Sequence, residues 1–338
     1  MTPFKRTKIW MMFSNHIHVW LGQGKLSYWQ FILDRVLVHY QNVPCSQDFK
    51  DKEKMVILMV DGYPGGQGGL TDRLRGALSV YSLCKKHNWI FKIHFVYPFD
   101  LHEYLIPNSY NWTIEPNQVS RNIPYSKPIA LYLMNLLFEK WLDSYLLQRE
   151  IADSKHAQYH IYTSAFFNKQ HYPQLFKELF KPSALLHHEL DMNRKNIGMK
   201  YVSATFRFQE LLGDLKEAEE CQVLSSVEQQ SLLNKCINKL QKFISQTPDD
   251  YKVLVTADSS RFLSEAQKLE RVYVIPGKIY HPHYAAEGKN PFLKSFIDFY
   301  MLMEAERVHL FKTGPMYKSG FPEFAALLGN KPFIYSEF

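Results

Sequence analysis

An uninterrupted apolar run, Met55–Val60 (MVILMV), stops at Asp61 and is followed by a glycine-rich turn. Behind the turn, Leu70–His87 places Leu74, Leu78, Tyr81 and Leu83 inward at helical spacing, and Phe91–Tyr97 (FKIHFVY) is strand-like again. Strand, turn, helix and strand make a βαβ unit, whose two strands lie parallel because a crossover helix joins them. The alternation recurs downstream. Strands are predicted at Tyr159–Tyr162, Tyr201–Phe208, Lys252–Thr256, Val272–Ile275, Val308–Phe311 and Pro332–Tyr335. Helices are predicted at Ile129–Arg149, Tyr172–Phe180, Ser226–Ser245, Arg261–Lys268 and Ser295–Glu306, and at Gly320–Leu328 with Gly329 as its C-cap. Leu26–Val43 reads as an amphipathic helix with Trp29, Ile32, Leu33, Val36 and Tyr40 on one stripe. Leu101–Lys127, rich in Pro and Asn, reads as a long surface connection. Alternation in both halves of a 338-residue chain predicts two doubly wound α/β domains, 1–185 and 186–338, meeting near Pro182–Asn196.

Composition narrows the function classes. With 46% hydrophobic and 22% charged residues the chain can bury cores and is not a disordered polymer. Its formal charge of +7 favours anionic partners, nucleotide phosphates and lipid headgroups alike. The basic residues are dispersed rather than striped, which argues against nucleic acid. Cys45, Cys84, Cys221 and Cys236 have no CxxC spacing, so neither a zinc site nor a disulfide framework is indicated, and a reducing compartment fits. The apolar stretch within Met1–Trp20 is broken by Ser14, Asn15 and His16, so no signal peptide is read. No window reaches the ~20 apolar residues of a spanning helix. The expected location is cytoplasmic, with peripheral contact at the inner membrane surface left open.

Four segments carry candidate chemistry. In PGGQGGLTDRLRGAL (Pro64–Leu78), Gly65, Gly66, Gly68 and Gly69 lie directly before Asp72, Arg73 and Arg75. A glycine turn ahead of a helix lets backbone N–H groups and the helix dipole meet an anion. Neither a P-loop nor a GxGxxG fingerprint can be aligned there, and a tight turn capped by Asp72 explains the same residues. YVSATFRFQELLGDL (Tyr201–Leu215) brings Arg207 to the end of a strand, and VLVTADSSRFLSEA (Val253–Ala266) does the same for Asp258. A guanidinium there suits a phosphate, while Asp258 serves equally as a helix cap. Ser319, Gly320 and Phe321, beside Lys318 and Pro322, open the last helix, a good cap and also a good diphosphate cradle.

Taken together these four segments resemble the fucosyltransferase-like glycosyltransferases, the group of α1,6-, α1,2- and protein O-fucosyltransferases and related bacterial polysaccharide-assembly proteins. The resemblance runs loosely from Met55 to the C-terminus. It departs at Thr205, where the family usually carries a histidine two residues before the arginine. It implies a GT-B-like α/β fold, two facing Rossmann-like domains with an interdomain cleft. The N-terminal domain would take a glycan or lipid-linked glycan acceptor and the C-terminal domain a nucleotide-sugar, GDP-fucose or a similar GDP-sugar. Arg207 would neutralise the diphosphate, with Asp258, Ser319, Gly320, Phe321, Gly68, Gly69, Arg73 and Arg75 around the donor. Asp72 and Asp214 are the candidate bases, and Glu210 a third. No Asp-x-Asp triplet and no His, Cys or carboxylate cluster suggests a metal, and no cofactor is expected. Two alternatives stay open: a non-catalytic nucleotide- or glycan-binding protein of this fold, and a transferase using another nucleotide-sugar. The oligomeric state is not legible.

Overall fold

The computed structural model describes residues 36–44, 53–63, 68–131, 139–164, 169–198, 200–214, 223–277 and 290–338. The chain forms two compact units, one of Met1–Asp100 with Asn111–Lys169, the other of Leu101–Tyr110 with Gln170–Phe338. Residues 101–110 and 170–185, placed by sequence in the first half, thus sit in the second unit.

The first unit is built on β1 (Met55–Val60), α1 (Leu70–His87), β2 (Ile90–Phe95), β4 (Ser126–Leu131), α2 (Glu139–Ala152) and β5 (Gln158–Thr163). Its four-stranded sheet has the order β2-β1-β5-β4 and is parallel throughout. α1 turns Leu74, Leu78 and Tyr81 inward, and Tyr81 packs on Phe91 with centroids 5.3 Å apart. This helix comes close to the sheet at Gly76, where a Cβ would lie 2.4 Å from the Thr163 carbonyl oxygen. Val36, Tyr40, Ile57, Met59, Ile114 and Tyr162 form a separate buried cluster. Lys54 closes the end of α2, its Nζ donating to the Ile151 and Ala152 carbonyls at 2.6 and 2.8 Å, where a cation also meets the negative helix terminus.

The second unit begins with an antiparallel ribbon of β3 (Leu105–Pro107) and β6 (Phe180–Pro182), with α3 (Tyr172–Leu179) and α4 (Ala184–Ile197) beside it. Its main elements are β7 (Tyr201–Phe206), α5 (Ser226–Ser245), β8 (Lys252–Ala257), α6 (Ser260–Ala266), β9 (Val272–Tyr273), α7 (Leu293–Glu304), β10 (Val308–Lys312), α8 (Phe321–Gly329) and β11 (Phe333–Glu337). The five strands are parallel in the order β11-β10-β7-β8-β9. Phe206, Phe208, Phe262 and Phe311 join Val202, Val253 and Leu240 in its core. α5 starts in a reciprocal Ser225–Glu228 capping box and ends under Arg271, whose guanidinium donates to the Ile244, Thr247 and Pro248 carbonyls.

Several expectations need correction. Leu101–Lys127 is no surface connection: Tyr104, Leu105 and Trp112 are fully buried, and Ser126 and Lys127 already belong to β4. Ile129–Leu131 continue that strand, and of the predicted Ile129–Arg149 helix the described part is α2 from Glu139, residues 132–138 lying outside the described residues. The described end of the predicted Leu26–Val43 helix is helical at Val36 and Leu37 only and then turns, while its earlier part lies outside the described residues. Gly329 is the last residue of α8 rather than its cap. The left-handed cap is Asn330 (φ 51°), and Gly329 instead lets α8 approach Met303.

Gly76→Ala should therefore destabilise the protein by about 1–3 kcal/mol through overpacking against Thr163. Gly69→Ser, whose Cβ meets nothing within 4 Å at a helix N-cap, should be neutral or better. Urea unfolding followed by circular dichroism gives both values.

Candidate functional site

Open parallel sheets hold ligands outside the carboxyl ends of their strands, where the strand order reverses. In the second unit the chain runs from β7 outward to β8 and β9, then returns to place β10 on the other side of β7. The reversal lies between β7 and β10. Arg207 is the first residue after β7, and the loop from Thr313 to Gly320 follows β10. The two are tied together: the Tyr317 N–H donates to the Arg207 carbonyl at 3.1 Å.

Arg207 is held by Asp258, the residue after β8. Its guanidinium lies 3.1 Å from Asp258 Oδ2, with 21% of the Arg207 side chain exposed and 2% of the Asp258 side chain. The same carboxylate accepts the N–H of Phe208 on Oδ1 at 2.7 Å and of Gln209 on Oδ2 at 2.6 Å. One buried acid thus pins three consecutive residues, including Gln209 in the left-handed region at φ 55°. Burial pushes the Asp258 carboxyl upward, and Arg207 with the two N–H groups pulls against it.

The neighbouring candidates have local duties. Ser259, not Asp258, caps α6 by accepting the Phe262 N–H at 3.1 Å. Asp214 Oδ2 supports that cap, accepting from Ser259 Oγ and the Arg261 N–H at 2.8 Å each. Ser319 Oγ accepts the Phe321 N–H at 3.2 Å, Gly320 is the N-cap of α8, and Phe321 sets its ring against Phe299. Glu210 is buried. Lysines surround this loop. Lys235 Nζ donates to Thr313 Oγ1 at 2.7 Å, Lys312 Nζ pairs with Glu337 at 2.9 Å and reaches the Gly314 carbonyl at 3.2 Å, and Lys318 lies over the Tyr335 ring. The structure so gathers Arg207, Asp258, Asp214, Ser319, Gly320 and Phe321 along one sheet edge, with a cationic rim that sequence reading only partly anticipated.

Gly68, Gly69, Asp72, Arg73 and Arg75 form a separate group at the start of α1 in the first unit. Gly65 and Gly66 lie outside the described residues. Asp72 is a helix cap: Oδ2 accepts the Gly69 N–H at 3.1 Å and Oδ1 accepts from Arg75 at 3.0 Å. Gly68 is required by this cap, since its φ is +72° and a Cβ would fall 2.3 Å from Asp72 Oδ2. Arg73 is buried, donating to the Tyr97 carbonyl at 2.9 Å and lying over the Phe95 ring.

At the reversal between β1 and β5 sits an arrangement that the sequence did not announce. Asp61, the residue after β1, accepts from Arg121 on Oδ2 at 2.6 Å and from the Tyr63 N–H on Oδ1 at 3.2 Å. Tyr162 Oη lies 3.4 Å from the same Oδ2 and 3.3 Å from Tyr40 Oη, which lies 2.5 Å from His160 Nδ1. The protons can be placed. Gln158 donates its amide to the Gln118 carbonyl and accepts the Ser120 N–H, so His160 Nε2 donates to Gln158 Oε1 and Nδ1 accepts from Tyr40. Burial holds His160 neutral, its pKa lowered from 6.5 to about 3, and pushes both tyrosines well above their ordinary range.

No protein-family model and no curated protein matches the chain. Solved structures do. The NodZ α-1,6-fucosyltransferase soaked with GDP-fucose aligns with a TM-score of 0.51 at 13% identity, over 82% of this chain and 93% of that one. NodZ from Bradyrhizobium gives 0.50 at 14%, over 82% and 94%. An Arabidopsis thaliana FUT1 mutant in complex with GDP gives 0.51 at 12%, over 93% and 75%. The fold is that of the GT-B fucosyltransferases, as the resemblance of the four segments implied.

Two outcomes follow from the geometry. Asp258→Ala should cost roughly 3–5 kcal/mol in urea unfolding, because it leaves a guanidinium and two N–H groups without their acceptor. Acid should weaken the protein through His160: its folded pKa lies below the unfolded one, so stability falls as pH drops from about 6.5 toward about 3. Between pH 7.5 and 5.5 the wild type should lose about 1 kcal/mol more than His160→Gln, and equal slopes would count against the assignment.

Proposed function

We propose that this chain is a glycosyltransferase that moves fucose or a related deoxyhexose from a GDP-sugar to a glycan hydroxyl, without a metal and with inversion. The observation that carries this is Arg207. In a fold shared with GDP-bound fucosyltransferases, a guanidinium fixed by a buried acid stands where the strand order reverses. A planar, permanently charged fork suits a diphosphate, and it would offset the charge that builds on GDP as the glycosidic bond breaks. The start of α8 at Ser319–Phe321 and the lysines around the loop would hold the same leaving group. The second unit would be the donor domain and the first the acceptor domain.

An acceptor hydroxyl would attack the anomeric carbon through an oxocarbenium-like state and lose its proton to a base. Both candidate acids also cap helices, Asp214 through Oδ2 and Asp72 through Oδ2 with Oδ1 on Arg75; Asp72 lies on the first unit, the acceptor domain of this reading, and is the base in it. No helix among the described residues is long and apolar enough to cross a membrane. The setting proposed is the cytoplasm, with a lipid-linked glycan as one form of acceptor.

Calorimetry and thermal shift with GDP, UDP and ADP test the donor. At a hundredfold excess over its dissociation constant the preferred nucleotide should add about 2.7 kcal/mol. Arg207→Ala should weaken GDP at least tenfold, Arg207→Lys should not restore it, and slow GDP-fucose hydrolysis should persist in chelator. Preference for UDP or ADP would replace the donor. Tight GDP binding without any hydrolysis would favour a non-catalytic binding protein.

A further inference from the structure

Around the carboxyl end of β1 the first unit exposes a group of side chains that neither capping nor core packing accounts for. Gly62 has φ +88°, and a Cβ there would lie 3.2 Å from the Tyr97 ring, so that ring packs directly on the glycine backbone. Tyr97 nevertheless remains 44% exposed and Tyr63 41%. Tyr63 is fixed from two sides, by its N–H on Asp61 Oδ1 and by the His39 ring at a centroid distance of 3.6 Å. Beside them Arg121 gives one N–H to Asp61 and lies over the Tyr40 ring at 5.8 Å. Its side chain is 28% exposed against 3% for Asp61, and its remaining N–H groups meet no acceptor among the described residues.

The chemistry of this group selects a ligand class. Arg121 and Asp61 cancel in charge, so this pair offers directed N–H donors with little net field of its own, which suits a neutral ligand better than a phosphate. Exposed tyrosine rings supply flat apolar faces with a phenolic hydroxyl at the edge. Flat apolar faces beside a neutral cluster of donors and hydroxyls match a pyranose, which has an axial C–H face and a rim of hydroxyls. We propose that Tyr63, Tyr97 and Arg121 form a binding subsite for neutral glycans, with Asp61 and Gly62 as its positioning residues. Its role as the acceptor subsite rests on the glycosyl-transfer reading above, whereas glycan binding does not.

The test uses the full chain and free neutral tetra- to hexasaccharides of hexose and N-acetylhexosamine, by saturation-transfer NMR and calorimetry. The wild type should bind members of this set, and Tyr63→Ala and Tyr97→Ala should each weaken binding about tenfold. Tyr97→Phe should retain most of it, and Arg121→Met should lose it. GDP affinity should be unchanged in all four variants. Where an alanine variant lowers the melting temperature, Tyr97→Leu and Tyr63→Leu keep apolar bulk without the flat face and should show the same loss. Wild-type protein that binds no neutral oligosaccharide, tyrosine variants that bind as the wild type does, or a preference for sugar phosphates would each overturn the proposal. Failure of GDP to bind would instead remove the donor reading and leave the glycan result to be judged by itself.

Discussion

The contact on which the second unit's sheet edge depends is the buried Asp258 carboxylate. An acid taken out of water is costly unless donors replace the lost hydration. Asp258 has three donors, and all come from consecutive residues at the end of β7. The requirement to satisfy one charge therefore dictates the path of the chain from Arg207 to Gln209. It also dictates where the guanidinium stands. The strand-end acid of β1 does the same in the first unit, where Asp61 gathers Arg121, the Tyr63 N–H and Tyr162. Each unit thus fixes an arginine at the reversal of its own strand order by means of an acid that is itself nearly inaccessible.

This division of labour changes how the charged residues around the glycine turn are to be understood. Glycine beside Asp72 and two arginines looks like a ligand site, yet much of that charge is consumed locally. Gly68 makes room for the Asp72 carboxylate that caps α1, Arg75 pairs with that carboxylate, and Arg73 is drawn inside to the Tyr97 carbonyl. A helix has its first N–H groups to satisfy from the residues at its own start. Loose backbone against fixed charge is one solution to that constraint, whatever else the turn binds.

What was legible in the sequence follows the range of the interactions. β1 and α1 were readable to the residue, because an apolar run and a helical period are local signals, and so was the Ser226–Ser245 helix. Arg207 could be singled out since it ends a strand between two phenylalanines. Trp112 and Tyr104 were misjudged, because Pro and Asn nearby mark turns and say nothing about what the turns cover. Ile129–Leu131 were misjudged for a related reason: a short apolar run has no period long enough to separate strand from helix. Arg121 was invisible. Its partner Asp61 lies sixty residues earlier, with only tertiary structure to connect them.

The two strand-end acids also separate the chemistry of the units by pH. Arginine stays charged across the working range, and the titratable group beside Arg207 is Asp258, whose carboxyl burial pushes upward. The first unit differs, because its sheet edge is backed by Tyr162, Tyr40 and a His160 that burial keeps neutral. Protonating His160 would turn Nδ1 into a donor to the Tyr40 hydroxyl, whose own proton would pass to Tyr162, while Tyr162 would go on donating to Asp61. The cost of acid there is that of a buried imidazolium rather than of a broken contact to Asp61. Acid sensitivity in the first unit consequently traces to one buried histidine, whose neutrality is set by the sheet and aromatic side chains that exclude water from it.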